Sequence, residues 1–212
     1  LASEFIRPNG PFGPFTSDPK CYFDPNTRRW FITILEIDTD PVTGDFLPHT
    51  HVLLAVSQTS NPTGSYYQYS LDTTNDGTNG TPVHPNCPCL GDQPLIGADA
   101  NGFYVTTNEF PLFANGFNGA QVYAMSKSAL TSGTLPPVQL INAGTIPAPD
   151  GGIWYTIQPA TVPAGGNYAS GNNGTEYFLS ALDFSATLDN RIAAWAATNT
   201  SSLNSTPNVS LT

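Results

Sequence analysis

Trp30-Phe31-Ile32-Thr33 decides the fold, because it returns twice, as Phe103-Tyr104-Val105-Thr106 and as Tyr177-Phe178-Leu179-Ser180, after 73 and then 74 residues. Each run joins aromatic and β-branched residues, the composition of a strand. A second series follows: Leu54-Ala55-Val56-Ser57, Tyr123-Ala124-Met125-Ser126 and Trp195-Ala196-Ala197-Thr198. Each reads bulky, alanine, apolar, hydroxyl. Asp18-Pro19, Gln93-Pro94 and Gln158-Pro159 precede the first series, and residues 66–71, 138–141 and 208–211 follow the second. Each unit therefore holds four short strands in one order.

The expected strands are 19–23, 30–36, 51–57 and 65–71, then 94–97, 102–107, 120–126 and 137–141, then 157–161, 176–182, 191–197 and 208–211. Asp24-Pro25-Asn26 and Asp99-Ala100-Asn101-Gly102 supply turn chemistry between first and second strands. Helical periodicity is confined to single turns at 126–130 and 200–203. An all-β chain of repeated four-stranded antiparallel units predicts β-propeller blades. The division is an N-terminal segment 1–17, blade 1 at 18–71, an inter-blade loop 72–91 containing Cys-Pro-Cys, blade 2 at 92–142, a linker 143–156, and blade 3 at 157–212. Three blades leave two sheet faces open. The chain thus reads as half of a larger ring, closed by a second copy or by a further chain or segment.

Composition narrows the partners. The 212 residues carry a formal charge of −10, which argues against nucleic acid and anionic membranes. Only 10% are charged, and 19 Gly with 20 Pro suit a turn-rich β protein rather than a coiled coil. No apolar run approaches the ~18 residues of a membrane span. Scarce lysine with abundant Asn, Thr, Ser and Gly favours a secreted protein.

Three stretches carry a resemblance: Ser17-Asp18-Pro19-Lys20-Cys21-Tyr22-Phe23-Asp24, Ala55-Val56-Ser57-Gln58-Thr59-Ser60-Asn61-Pro62-Thr63-Gly64 and Gly102-Phe103-Tyr104-Val105-Thr106-Thr107-Asn108-Glu109-Phe110. They resemble secreted bacterial β-propeller proteins, largely uncharacterised, which implies the fold and little about activity. A more distant likeness is to glycoside-hydrolase propellers of the arabinanase and xylosidase type. It implies carboxylates opening successive innermost strands, loosely matched by Asp18-Pro19 and Asp92-Gln93-Pro94. The third unit, where that likeness calls for a Glu, reads Gln158-Pro159. The Ser-x-Asp-x-Gly-x-x-Trp turns of sialidases are absent.

Asp18 and Asp92 are therefore the candidate catalytic pair at a channel mouth, against turn capping as the plainer role. Glu109, after the second strand of unit two, is the third candidate acid, against a solvated loop residue. Lys20, Gln93, Asn108 and Gln158 are the candidate ligand-binding residues. Tyr66, Tyr67, Tyr69, Trp154 and Tyr155 stack sugars or pack blade on blade. Asp72, Asp76 and Gly77 fit part of a calcium loop, against an inter-blade loop; no cofactor is otherwise required. Cys21 lies in the first strand of unit one, and Cys87 and Cys89 lead into that of unit two, so a disulfide joins Cys21 to Cys87 or Cys89. The alternatives are a metal set drawn from His49, His51, His84, Cys87 and Cys89, or unpaired thiols. The function expected is a binding or scaffold module for glycan or a protein partner. The alternative is a glycan-active hydrolase with Asp18 and Asp92 in the channel and further groups on other blades.

Overall fold

The computed structural model describes residues 11–184 and 189–212; residues 1–10 of the expected N-terminal segment lie outside them. Among the described residues, twelve strands form three four-stranded antiparallel sheets. Sheet 1 runs β1 (Phe15–Asp24), β2 (Arg29–Thr39), β3 (Phe46–Ser57), β4 (Tyr66–Asp72). Sheet 2 runs β5 (Cys89–Ala98), β6 (Gly102–Pro111), β7 (Gly119–Ser126), β8 (Val138–Asn142). Sheet 3 runs β9 (Gln158–Pro159), β10 (Thr175–Ala181), β11 (Ile192–Thr198), β12 (Ser210–Leu211). Neighbouring strands in the sheets are neighbours in sequence, the order the repeat predicts. Both expected helical turns are present: α1 (Lys127–Ser132) and a 3-10 turn at Thr200–Asn204.

Local chemistry closes the turns. The Asp24 carboxylate accepts the Thr27 amide at 2.9 Å between β1 and β2. Asp99 does the same for Asn101, at 2.9 Å, between β5 and β6. Ser126 caps α1 by accepting the Ala129 amide, and Gly133 ends it at φ 80°, a conformation that a Cβ disfavours.

The sheets stack in chain order. Between sheets 1 and 2, Phe31 lies flat on Phe103 with centroids 4.5 Å apart, among Val52, Leu54, Val56, Val105 and Met125. Between sheets 2 and 3, Tyr104 meets Phe178 edge-on at 5.6 Å, beside Val122, Trp154 and Trp195. Each aromatic removed from water contributes about 1.5–3 kcal/mol. Tyr69 and Trp154, two of the candidate sugar-stacking aromatics, are spent in these layers. The first strands β1, β5 and β9 are adjacent. The approach of β5 to β9 is so close that a Cβ on Gly97 would run into the Ala160 carbonyl.

The third unit is offset from its sequence alignment. Phe31 and Tyr104 each point from their own sheet toward the next. Phe178, aligned with them by sequence, points back toward sheet 2. Their counterpart is Tyr177, 54% exposed, because a one-residue slip exchanges the faces of a strand. The backbone marks the shift. Asp18 (φ 52°) and Gln93 (φ 51°) lead into bulges in β1 and β5. The matching left-handed residue ahead of β9 is Thr156 (φ 47°) rather than Gln158.

A buried polar centre ties all three sheets. Lys127, 1% exposed, places its ammonium 3.3 Å from Asp24 Oδ1 in sheet 1. It also donates to the Asp99 carbonyl in sheet 2 and lies 4.4 Å from the centre of the Tyr168 ring. Tyr168 donates to Asp24, and Thr200 donates to the Asp99 carboxylate. Burial works against Asp24 ionising, but bonds from Thr27 and Tyr168 and the charge of Lys127 hold its carboxyl below the usual range. Glu176, on β10, is pushed up to about 9 by burial and then by the charge of Asp99, so it is uncharged at neutral pH.

Lys127→Met leaves Asp24 buried without its counter-charge. It is expected to lower stability by roughly 3–5 kcal/mol, read as a reduced midpoint in urea denaturation. Glu176 titrates near 4.3 when unfolded and at about 9 when folded. Its stabilising effect is therefore complete below the lower value and is lost as pH rises through the higher one. Glu176→Gln is expected to flatten the decline in melting temperature between pH 5 and 9; an unchanged decline would contradict this placement.

Candidate functional site

The first strands carry Asp18, Lys20, Asp92, Gln93 and Gln158 of the expected site. Each strand is preceded or interrupted by a left-handed residue that is not glycine, at Asp18, Gln93 and Thr156. Such a conformation costs on the order of 1 kcal/mol or more and persists only where its surroundings impose it. Asn108, on β6, is what imposes two of them. Its Nδ2 donates to Gln93 Oε1 at 3.3 Å and to Thr156 Oγ1 at 2.9 Å. Its Oδ1 accepts the Thr156 amide at 2.7 Å.

Asp92 lies beside this clamp and accepts the Gln93 amide at 2.9 Å. Burial raises its carboxyl above the usual range, and the charge of nearby Asp18 raises it further. Asp18 accepts the Ser17 hydroxyl at 3.2 Å. The structure thus brings together Asp18, Asp92, Gln93 and Asn108, and adds Thr156. Nothing in the type of Thr156 announces it; its backbone does. Two nominees have other surroundings. Lys20 is half-buried on β1 opposite Thr33. The Gln158 amide donates to the adjoining Pro159 carbonyl at 2.8 Å.

Glu109 is neither a cleft acid nor a solvated loop residue. It follows Asn108 on β6, so the pleat aims it at the opposite face, where it is 0% exposed. Its carboxylate lies 2.8 Å from His84 Nδ1 and accepts Asn118 Nδ2 at 2.9 Å. It also accepts Asn75 Nδ2, which reaches the Tyr123 hydroxyl at 3.0 Å as well. His84 Nε2 lies 3.4 Å from Asn142 Nδ2. The cluster draws on the 72–91 loop, β6, the β6–β7 connection, β7 and β8.

The disulfide corrects the expected pairing. Cys87 bonds to Cys89, with Cα atoms 4.4 Å apart, and Cys21 is a free, exposed thiol. The reason is distance along the strands. Cys21 lies beyond the Asp18 bulge, while Cys89 lies ahead of the matching Gln93 bulge. At ~3.3 Å per residue this separates them by roughly 20 Å, far above the ~7 Å limit for a disulfide. The Cys87–Cys89 bond instead borders the Glu109 cluster, with Cys87 Sγ 4.0 Å from Glu109 Oε1.

The histidines divide between two places. His84 joins the cysteines, whereas His51 lies 4.0 Å from Glu36 across β2 and β3. Asp72 and Asp76 serve their own loop. Asp72 accepts the Thr74 amide at 2.9 Å and Asn79 Nδ2 at 3.0 Å. Asp76 accepts the amide and hydroxyl of Thr78 at 2.9 and 2.6 Å. Among the described residues, three-ligand groups of converging acid, thiol and imidazole atoms form at Cys87, Cys89 and Glu109, and at Glu36, Asp38 and His51.

Comparison of the chain with protein-family models, with curated proteins and with solved structures gives no match. The residues alone carry the functional reading.

Proposed function

We propose that the three sheets are blades of a secreted β-propeller module that binds a glycan at the mouth formed by its first strands. The observation that carries this reading is the row of left-handed residues, Asp18, Gln93 and Thr156, the last two tied to each other by Asn108. Strain kept in place by a dedicated clamp is a mark of a site rather than of a scaffold. Carboxylates, amides and a hydroxyl there match the donors and acceptors of a polyhydroxylated ligand. The disulfide suits an oxidising compartment.

A second copy completing the ring is part of the proposal. The counterparts of Phe31 and Tyr104 on sheet 3 are uncovered. Tyr177 and Leu179 are more than half exposed, with Ile192 on the neighbouring strand. The outward face of sheet 1 exposes Phe23 and Ile32. An apolar face at each end of a three-sheet stack suits a head-to-tail pair of chains.

A hydrolase is the second reading, favoured by Asp92. A carboxyl raised by burial beside a second carboxylate is how an acid is set apart from its partner. One assay addresses both readings: electrophoretic retardation in gels containing soluble neutral polysaccharides, with reducing ends measured in parallel. The binding reading expects retardation by at least one polysaccharide, weakened about 10- to 100-fold by Asp18→Asn with Asp92→Asn, and no release of reducing ends. Release abolished by Asp92→Asn would replace binding with hydrolysis. Equal migration in every gel would overturn the glycan reading.

A further inference from the structure

The Glu109 cluster lies on the other face of β6 from the proposed ligand site and makes no use of it. Its chemistry is that of a metal shell closed by a covalent bond. The Sγ atoms of Cys87 and Cys89 and a Glu109 oxygen all lie within 4.8 Å of one another. A fourth group adjoins them: His84 holds Nδ1 2.8 Å from Glu109 Oε1. Two sulfurs, a carboxylate and an imidazole make a set that zinc accepts.

We propose that reduction of the Cys87–Cys89 bond converts this pocket into a zinc site, with both thiolates and Glu109 as ligands and His84 Nδ1 as the fourth. Two further observations bear on it. Glu109 is wholly buried, yet it is held at both oxygens by side chains from separate segments. Its position is thus fixed before any ion arrives. Asn118 Nδ2 donates to Glu109 and lies 3.5 Å from Cys89 Sγ, as a residue outside the ligand set does when it orients ligands. His84 Nε2 faces Asn142 Nδ2, a donor whose orientation is fixed by Gln121 Nε2 donating to Asn142 Oδ1, so in the neutral ring Nε2 accepts and Nδ1 carries the proton it gives to Glu109, the proton that zinc would displace.

The geometry asks for little movement. Zinc holds sulfur at ~2.3 Å and nitrogen or oxygen at ~2.0–2.2 Å, which sets tetrahedral ligands between about 3 and 4 Å apart. Cys87 Sγ already lies 4.0 Å from Glu109 Oε1. Opening the disulfide lets the two sulfurs separate. Cys87 is only half-buried, so a small reductant reaches it. A dithiol reductant supplies two electrons and two protons, giving two cysteine thiols and its own cyclic disulfide. Zinc then displaces the two thiol protons and the Nδ1 proton of His84, which pass to solvent. In its oxidised form the pocket is locked against metal.

The test uses the full chain with Cys21→Ser as background, which removes the free thiol from the reckoning. Oxidised and dithiothreitol-reduced protein, the latter desalted without oxygen, are titrated with cobalt(II) and then zinc. The proposal expects reduced protein alone to develop the thiolate-to-cobalt absorption of a tetrahedral site at one equivalent, discharged by zinc. Asn118→Ala is expected to weaken metal binding about 10- to 100-fold, with Glu109→Gln at least as damaging. Circular dichroism verifies that each variant is folded. Equal spectra for oxidised and reduced protein, a spectrum surviving Cys87→Ser with Cys89→Ser, or folded Glu109→Gln with unchanged affinity would each overturn the proposal. Loss of fold on reduction would overturn it too, since the site would not be preformed.

Discussion

The arrangement of the three sheets turns on one buried ammonium. Lys127 opens α1 directly after β7 of sheet 2, is reached by Asp24 from sheet 1, and lies near Glu176 on sheet 3. Stripping a charge of its water costs several kcal/mol, and a counter-ion at the right distance offsets much of that. Such a pair adds less to net stability than two well-packed apolar residues would, although removing one partner alone is costly. It makes misregistered packings costly instead, because each leaves an unpaired charge inside the protein. Burial pulls the lysine below its usual range, and Asp24 opposes this. Glu176 yields by keeping its proton, so a single positive charge suffices near three acidic side chains.

Around that centre the apolar layers supply the bulk of the stability, and they have a direction. Phe31 in sheet 1 and Tyr104 in sheet 2 hand the chain on to the next sheet. Tyr177 repeats the gesture in sheet 3 and meets solvent. The same constraint explains the two polar sites. The pleat sends Asn108 toward sheet 3, where it ties Thr156 to Gln93 of its own sheet. It sends Glu109 the other way, into a shell of histidine, asparagines and cysteines. Adjacent residues on one strand thereby serve two separate pieces of chemistry.

Twelve strands and their order were legible, since alternating aromatic and β-branched residues bounded by Asp, Asn, Gly and Pro turns leave few readings. What was not legible was anything that depends on a single residue of register. Gln158-Pro159 looks like Asp18-Pro19, yet the backbone places Thr156 in that role, and a slip of one residue reverses which side of β10 is buried. The Cys21 pairing failed for a related reason: adjacency of strands says nothing about level along them. Glu109 was singled out, but its burial depends on His84, Asn75 and Asn118, which converge only in three dimensions. Lys127 carried a faint signal, as one of two lysines in the chain, directly after the buried strand β7.

Whether the uncovered faces of sheets 1 and 3 meet in solution decides between a closed ring of two chains and an open stack of three sheets. Light scattering after gel filtration measures this directly. The account predicts twice the 22.5 kDa of one chain, and a return to the single-chain mass with Tyr177→Asp. A folded wild-type protein that stays at the single-chain mass across concentration would contradict it.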